Sequence, residues 1–209
     1  MSPWRKRFFE TTRGKLVALL RRRELTVDEM ATALGVTDNA VRAQLATLER
    51  DELVEQRGVR RGLGKPSHAY GPTADFEVTL SRAYPPLLVH LVRELRGHLT
   101  EQQFADLLLA VGRRWGAELP AAGGSVEARV NHAVALLEQL GAAVEVEPRG
   151  NGLAIRGFGC PLGLAVREQP HMCGAVEAML SAVTGVEVRE RCDRAGRAPS
   201  CTFVVGESP

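Results

Sequence analysis

Apolar positions in the first quarter of the chain recur every three or four residues in three short stretches. This spacing is typical of amphipathic helices, and it predicts helices at residues 13–23, 27–34 and about 38–50. Thr26 with Glu29 three residues later has the sequence of a capping box, and Gly35 suits the position after a helix end. We therefore expect the second and third helices to be joined by a tight turn.

A hairpin is predicted directly after the three helices. Residues 53–59 and 67–70 are expected to form its two strands, and the basic, turn-rich segment 60–66 lies between them. Three helices followed by a basic hairpin is the element order of a winged helix-turn-helix, in which the second helix of the pair enters the DNA major groove.

The rest of the chain changes from long amphipathic helices to short strands. The predicted elements are a helical stripe at 80–95 interrupted by Pro85-Pro86, helices at 101–117 and 125–140, a hairpin of 144–147 and 153–156, a helix near 174–183, and strands at 186–191 and 201–205. We expect the fold class α+β, with a winged helix-turn-helix at 1–74, a linker and dimerisation helix at 75–98, and a small α+β sensor domain at 99–209. Stretch 79–97 is the candidate dimer helix, and a core helix is the alternative.

Composition is that of an ordinary globular protein, but charge is unevenly distributed. Residues 1–75 carry 14 of the 27 Lys and Arg residues and only 10 of the 25 Asp and Glu residues. A basic N-terminal part suits binding to nucleic acid. Neither a membrane-spanning run nor a signal peptide is evident, so we expect a cytoplasmic protein.

The exposed face of the predicted recognition helix carries side chains that read base edges. Asn and Gln pair with adenine, Arg pairs with guanine, and Ala or Thr contacts the thymine methyl group. Basic wing residues contact phosphates or the minor groove. The candidate DNA-binding residues are Thr37, Asn39, Ala40, Arg42 and Gln44 on the helix, and Arg57, Arg60, Arg61, Lys65 and His68 on the wing. The alternatives are a winged helix that binds protein and, for Arg42, a surface salt bridge with Asp38.

These segments resemble bacterial winged-helix regulators of the ArsR/DeoR-like group, and more narrowly the SufR-like branch, the Suf-operon repressors. The resemblance is carried by Thr-Val-Asp-Glu-Met-Ala (26–31), Leu-Gly-Val-Thr-Asp-Asn-Ala-Val-Arg (34–42), Leu-Ala-Thr-Leu-Glu-Arg (45–50) and Gly-Leu-Gly-Lys-Pro (62–66). It implies a homodimer that binds a palindromic operator in double-stranded DNA and that senses iron–sulfur status. We expect a repressor, with an activator as the alternative.

All four cysteines of the chain, Cys160, Cys173, Cys192 and Cys201, lie in its last quarter. Thiolates are soft ligands that suit iron–sulfur clusters or zinc. A thiol redox switch and plain buried thiols are the other readings. The resemblance favours the cluster, because twelve residues separate the first two cysteines as in the SufR-like family and Cys201 resembles that family's final cysteine. The family's third cysteine position is Glu187 here, so the fourth ligand is Cys192, Glu187 or His171.

Enzymatic function is not expected. Segment 62–66 lacks the spacing of a phosphate-binding loop, and neither Gly-x-Ser-x-Gly nor His-Glu-x-x-His occurs. Two rival functions stay open. One is a regulator that binds a small apolar ligand within residues 99–209 with no cluster, and the other is an architectural protein that binds DNA without sequence preference.

Overall fold

The structure, a computed structural model, describes residues 3–61, 66–150, 152–192 and 201–206, without the side chain of Trp4. It divides into two compact units, Met1–Arg82 and Ala83–Pro209. Each unit has its own apolar core.

The N-terminal unit is a winged helix-turn-helix built from helices and a small sheet. Its elements are α1 (Pro3–Glu10), α2 (Thr12–Leu20), β1 (Leu25–Thr26), α3 (Val27–Leu34), α4 (Asp38–Arg50), β2 (Val54–Arg60), β3 (Ser67–Pro72) and α5 (Ala74–Leu80). The sheet is antiparallel with strand order β1-β3-β2. The predicted helix pair and hairpin are confirmed.

Local caps fix the helix-turn-helix. The Thr26 hydroxyl accepts the Glu29 N–H, and the Glu29 carboxylate accepts the Thr26 N–H at 2.8 Å, so the predicted capping box is present. Gly35 ends α3 with φ +65°, a left-handed conformation that glycine adopts without the strain of a Cβ. Thr37 then caps α4 by accepting the Ala40 N–H at 3.3 Å.

The N-terminal core shows three elements that the sequence pattern did not predict. Helix α1 packs Phe8 and Phe9 against the core, α5 buries Phe76 and Leu80 in it, and β1 adds a strand to the hairpin. The predicted helix over 13–23 is shorter at its end, because α2 stops at Leu20 and the three arginines that follow lie in turns.

The C-terminal unit is an α+β layer structure around an antiparallel sheet. Its elements are α6 (Tyr84–His98), α7 (Glu101–Glu118), α8 (Val126–Gln139), β4 (Ala143–Arg149), β5 (Gly152–Gly159), α9 (Gly163–Glu168), a 3-10 turn (Pro170–Met172), α10 (Cys173–Thr184), β6 (Val188–Glu190) and β7 (Cys201–Val205). The strand order is β4-β5-β7-β6. Among the described residues, no helix is both long and apolar enough to cross a membrane.

Two apolar clusters hold the C-terminal unit together. The larger one joins α8 and α10 to the sheet through Val130, Leu180 and Ile155. The smaller one joins α6, α7, α9 and α10. Helices α7 and α10 touch closely at Gly112, where a Cβ would lie 2.1 Å from the Ala175 carbonyl oxygen. This contact fixes α10, and with it the cysteine at its start.

The predicted linker and dimerisation segment, residues 75–98, contains two helices in the structure. Helix α5 ends at Leu80 and lies within the N-terminal unit, whereas α6 starts at Tyr84 and lies within the C-terminal unit. Pro85 and Pro86 sit in the first turn of α6, where a missing N–H is tolerated, so the predicted break at these prolines is confirmed.

Candidate DNA-binding surface and cysteine site

Helix α4 separates a buried apolar face from an exposed polar one. Val41, Leu45 and Leu48 lie in the N-terminal core. The candidate base-reading residues lie on the other side, where Thr37, Asn39, Ala40 and Arg42 are exposed and Gln44 is half-buried. The helical period of 3.6 residues produces this division. The structure therefore brings the five helix candidates together at the start of α4.

Two of these residues have local contacts that bear on their roles. The Thr37 hydroxyl accepts the Ala40 N–H, so its own proton stays available as a donor. Among the ion pairs of the described residues, none joins Arg42 to Asp38; instead Asp38 shares a hydrogen bond with Asp28, which raises the pKa of Asp38, and the charge of Arg42 opposes that rise. The guanidinium of Arg42 is exposed on the helix surface.

Two wing arginines, Arg57 and Arg60, contact other groups of the N-terminal unit. Arg57 donates to the Pro72 carbonyl and forms an ion pair with Glu55. Arg60 donates to Glu29 and to the Glu24 carbonyl, both at 2.6 Å. Both guanidinium groups are thus used within the N-terminal unit.

Two of the remaining wing candidates are exposed on the hairpin. Arg61 follows β2 and is exposed, and His68 is exposed on β3 opposite Val59. Lys65 lies outside the described residues.

The four cysteines come from separate elements and meet at one end of the C-terminal sheet. Cys160 follows β5, Cys173 begins α10, Cys192 follows β6, and Cys201 begins β7. All four are free thiols, with Cys160 exposed, Cys173 buried and the other two half-buried. Antiparallel pairing places Cys201 opposite Gly157, three residues before Cys160. Distant positions in the sequence thus become neighbours in the fold.

The four thiols lie close enough together to shift one another's pKa values. The Cys201 thiol donates to Cys160, which lowers the pKa of Cys160 to about 7. The same bond raises the pKa of Cys201 to about 11, although Cys192 donates to Cys201 in turn. The Cys173 thiol donates towards Cys192, which lowers the pKa of Cys192. Donation towards Cys201, burial and the nearby Glu190 carboxylate have the opposite effect and together raise this pKa to about 12.

Glu187 and His171, the two predicted alternatives to Cys192 as the fourth ligand, contact groups other than the thiols. Glu187 forms an ion pair with Arg189 on the outer side of β6. The ring nitrogens of His171 contact Gln169 and Glu101. Among the described residues, the carboxylate that lies with the thiols is Glu190, whose oxygen and the sulfurs of Cys173 and Cys192 are within 4.8 Å of one another.

Sequence reasoning missed Glu190, although the chain contains a signal for it. Val188 is buried, and side chains two residues apart on a strand point to the same face, so Glu190 follows Val188 towards the core. A half-buried carboxylate two residues before a cysteine is a ligand candidate.

An apolar cavity of about 280 Å³ adjoins the cysteines. Cys160, Cys173 and Cys201 form one part of its wall, and Trp115, Met179 and Phe203 are among the apolar residues of the remainder. The cysteine site therefore lies next to enclosed apolar space.

Comparisons with known proteins show what part of the N-terminal unit is similar to. Residues 10–56 match the family described as bacterial regulatory protein, arsR family. Among solved structures, Bacillus subtilis PadR in complex with operator DNA is similar at 14% identity over 82% of this chain and 98% of that chain, with a TM-score of 0.28, too low to establish a shared arrangement. No curated protein matches the chain. The family match spans α2, α3, α4 and the start of the wing, so this part of the N-terminal unit is similar to the helix-turn-helix of arsR-family regulators, and the chain has the winged helix-turn-helix of a DNA-binding transcription regulator.

Proposed function

We propose that the chain is a homodimeric transcription regulator, acting as a repressor, that binds a palindromic operator and whose operator affinity is set by an iron–sulfur cluster on the C-terminal cysteines. The exposed face of α4 supports the DNA-binding part. The single observation that carries the sensing part is the convergence of four free thiols from four elements.

The exposed start of α4 has the chemistry for base recognition. Arg42 suits the two acceptors of guanine, and Asn39 suits the donor and acceptor of adenine. The Ala40 methyl group suits contact with thymine, and Thr37 has a free donor. Arg61, Lys65 and His68 on the wing would contact phosphates or the minor groove beside the reading helix.

The donor set fits an iron–sulfur cluster. Cys160, Cys173 and Cys201, the three thiols that resemble the cysteines of the SufR-like family, would hold it. The fourth ligand would come from their immediate neighbours. A bound cluster would supply a group whose presence depends on the iron, sulfide and oxygen available to the cell. Each thiol must lose its proton to bind, and Cys160 is prepared for this because Cys201 stabilises its thiolate. Zinc is the alternative metal for the same thiols.

Ligation at Cys160 would act on a surface of the same unit. Residues 161, 162, 164 and 165, which follow Cys160, form one side of a groove of about 480 Å³, and α6 forms the other side. Helices α6 and α9 are also joined by an ion pair between Arg93 and Glu168 at 2.6 Å. Fixing the position of Cys160 would therefore fix this groove.

Helix α6 is the proposed dimer helix. Its exposed residues Tyr84, Leu87, Leu91, Glu94 and His98 are spaced alternately three and four residues apart, which is the spacing of a helix–helix seam. In an antiparallel pair related by a twofold axis, Leu87 meets Leu91 of the second copy and Tyr84 meets Glu94. The seam is thus complementary to itself, and its geometry would set the spacing of the two α4 helices on DNA.

The absorption spectrum of the anaerobically purified protein, with iron and acid-labile sulfide assays, tests the cluster. A brown protein with broad absorption near about 400 nm, lost in Cys160→Ser, Cys173→Ser and Cys201→Ser, is the expected result. Glu187→Gln is the matched control and should keep the colour. A colourless protein after reconstitution would contradict the cluster, and zinc in place of iron would assign the other metal.

A second candidate function is regulation by a small apolar ligand, which the cavity beside the cysteines favours. Replacing all four cysteines by serine distinguishes the two functions. A regulator that responds to an apolar ligand keeps its response in this variant, whereas a regulator that responds to metal loses it.

A further inference from the structure

The strand β6 places a carboxylate beside the thiols. Strand β6 is at the edge of the sheet, and its side chains alternate, with Arg189 on the outer face and Val188 and Glu190 towards α10. Glu190 is half-buried, and a carboxylate in such a position normally requires a charged or hydrogen-bonding partner. One partner of this carboxylate among the described residues is the backbone N–H of Cys192, a residue of the cysteine site.

Glu190 is held in place from two directions. Its backbone N–H donates to the Glu177 carboxylate on α10 at 2.7 Å. Its own carboxylate accepts the Cys192 N–H at 2.8 Å. The carboxylate and the Cys192 sulfur are therefore next to each other, and both lie within 4.8 Å of the Cys173 sulfur.

The sulfur that both groups face belongs to the first residue of α10. Cys173 is 3% exposed, and the N-terminus of a helix favours negative charge. Zinc and the iron of clusters accept carboxylate oxygen as well as thiolate in a four-coordinate arrangement. One coordination position next to Cys173 thus has two adjacent donors, one hard and one soft.

We propose that Glu190 is a metal ligand and that it shares one coordination position with Cys192, while Cys160, Cys173 and Cys201 hold the other three. This inference rests on the proposed function in that a metal occupies the cysteine site. Binding through Cys192 releases the thiol proton of Cys192, whereas binding through the ionised carboxylate of Glu190 leaves that proton in place. The site thereby has two ligand states that differ by one thiolate.

Cobalt titration of the full-length, reduced protein without oxygen tests this assignment. The intensity of the thiolate-to-cobalt charge-transfer band reports how many thiolates bind, independently of any effect on DNA. We expect Cys192→Ala to bind one cobalt ion per chain with a weaker band, because Glu190 replaces the lost thiolate. Cys192→Ala with Glu190→Ala should bind cobalt at least about tenfold more weakly than Cys192→Ala alone.

The matched control combines Cys192→Ala with Glu187→Ala, since Glu187 directly precedes the same strand and forms an ion pair with Arg189 on its outer face. It should bind cobalt like Cys192→Ala. Equal affinity of the two double variants overturns the role of Glu190, as does loss of cobalt in Cys192→Ala alone or the absence of cobalt binding in the wild-type protein. Far-ultraviolet circular dichroism checks that each variant is folded.

Failure of the Glu190 assignment and failure of the proposed iron–sulfur cluster give different experimental results. A protein that takes up cobalt as expected but never assembles iron and sulfide keeps the Glu190 assignment and contradicts the cluster. A brown protein in which Cys192→Ala with Glu190→Ala binds cobalt as tightly as Cys192→Ala alone keeps the cluster and contradicts Glu190.

Discussion

Arg60 on the wing strand β2 and Glu29 in the first turn of α3 form an ion pair, with Nη1 and Oε1 2.6 Å apart. The same carboxylate caps α3 by accepting the Thr26 N–H. Glu29 therefore joins the base of the wing to the start of the helix-turn-helix. This relationship separates wing residues that stabilise the domain from those that are available to DNA.

Arg61→Ala is predicted to weaken DNA binding more than Arg60→Ala does. The guanidinium of Arg60 is already bound to Glu29 and to the Glu24 carbonyl, whereas Arg61 is exposed. Loss of a phosphate contact weakens binding to all sequences and reduces the slope of log affinity against log salt by about 1. Fluorescence anisotropy at several salt concentrations measures both variants. A larger slope change for Arg60→Ala would reverse the assignment.

Acid is predicted to remove a stabilising contribution of Glu29. The bond from the Thr26 N–H, opposed by burial and aided by the charge of Arg60, lowers the pKa of Glu29 below its usual 4.5. A carboxyl group whose pKa is lower in the folded state stabilises that state above the unfolded pKa, and this contribution is lost as pH falls through the folded pKa.

The difference in unfolding free energy between wild type and Glu29→Gln should thus be largest at neutral pH and shrink as the pH falls below the usual carboxyl pKa of 4.5. We expect at most about 1 kcal/mol, since the side chain is partly exposed. Urea denaturation at several pH values measures the difference. A difference that stays constant with pH would show that the charge of Glu29 has no role.

Arg42→Ala is predicted to relax sequence preference at one base pair of each half-site. A bidentate contact of arginine with guanine is worth about 1–3 kcal/mol of discrimination. Binding to a selected operator and to its single-base variants measures the effect. Arg50→Ala is the control, because Arg50 lies at the other end of α4 and pairs with Asp51. A uniform loss of affinity across all base variants would make Arg42 a phosphate contact instead.

The combined change Leu87→Glu and Leu91→Glu is predicted to make the protein monomeric. Both side chains are more than half exposed, at 63% and 52%, in the centre of the proposed seam, and four like charges would meet there in a dimer. Val111→Glu on α7 adds charge to an exposed apolar residue off the seam, so it should leave the dimer intact. Sedimentation velocity distinguishes the two. A dimer that survives the α6 change would place the interface elsewhere.

The sequence predicted the helix-turn-helix closely because its boundaries depend on local signals. Thr26, Gly35 and Thr37 each act on backbone groups within four residues, so α3 and α4 begin and end where caps and periodicity indicated. Strand β1 has two residues and exists only through pairing with β3, and short α5 depends on burying Phe76 and Leu80. Strand β1 has no local signal strong enough to predict it, whereas α5 does have an N-cap, Thr73, whose hydroxyl accepts the Phe76 N–H and which the sequence analysis did not use.

The cysteine site shows the same limit. Soft ligands and their intervals are visible in the sequence, but which carboxylate joins them depends on the alternation of β6 at the sheet edge. A shift of one residue exchanges the two faces of a strand, and in β6 this alternation exposes Arg189 and half-buries Glu190. The hydrogen-bond partners of Arg57 and Arg60 could not be predicted from the sequence either, because these bonds join residues far apart in the chain.

The most direct test of the account compares operator affinity of the iron-loaded and the metal-free protein on one DNA sequence, selected from random DNA, at fixed salt concentration and without oxygen. The account predicts affinities that differ by at least about fivefold, the lower end of ordinary coupling between two sites. It also predicts that Cys160→Ser binds like the metal-free protein under both conditions. Equal affinity of the loaded and metal-free wild-type protein would contradict the account and would leave a DNA-binding winged-helix protein whose signal is not the cysteine site.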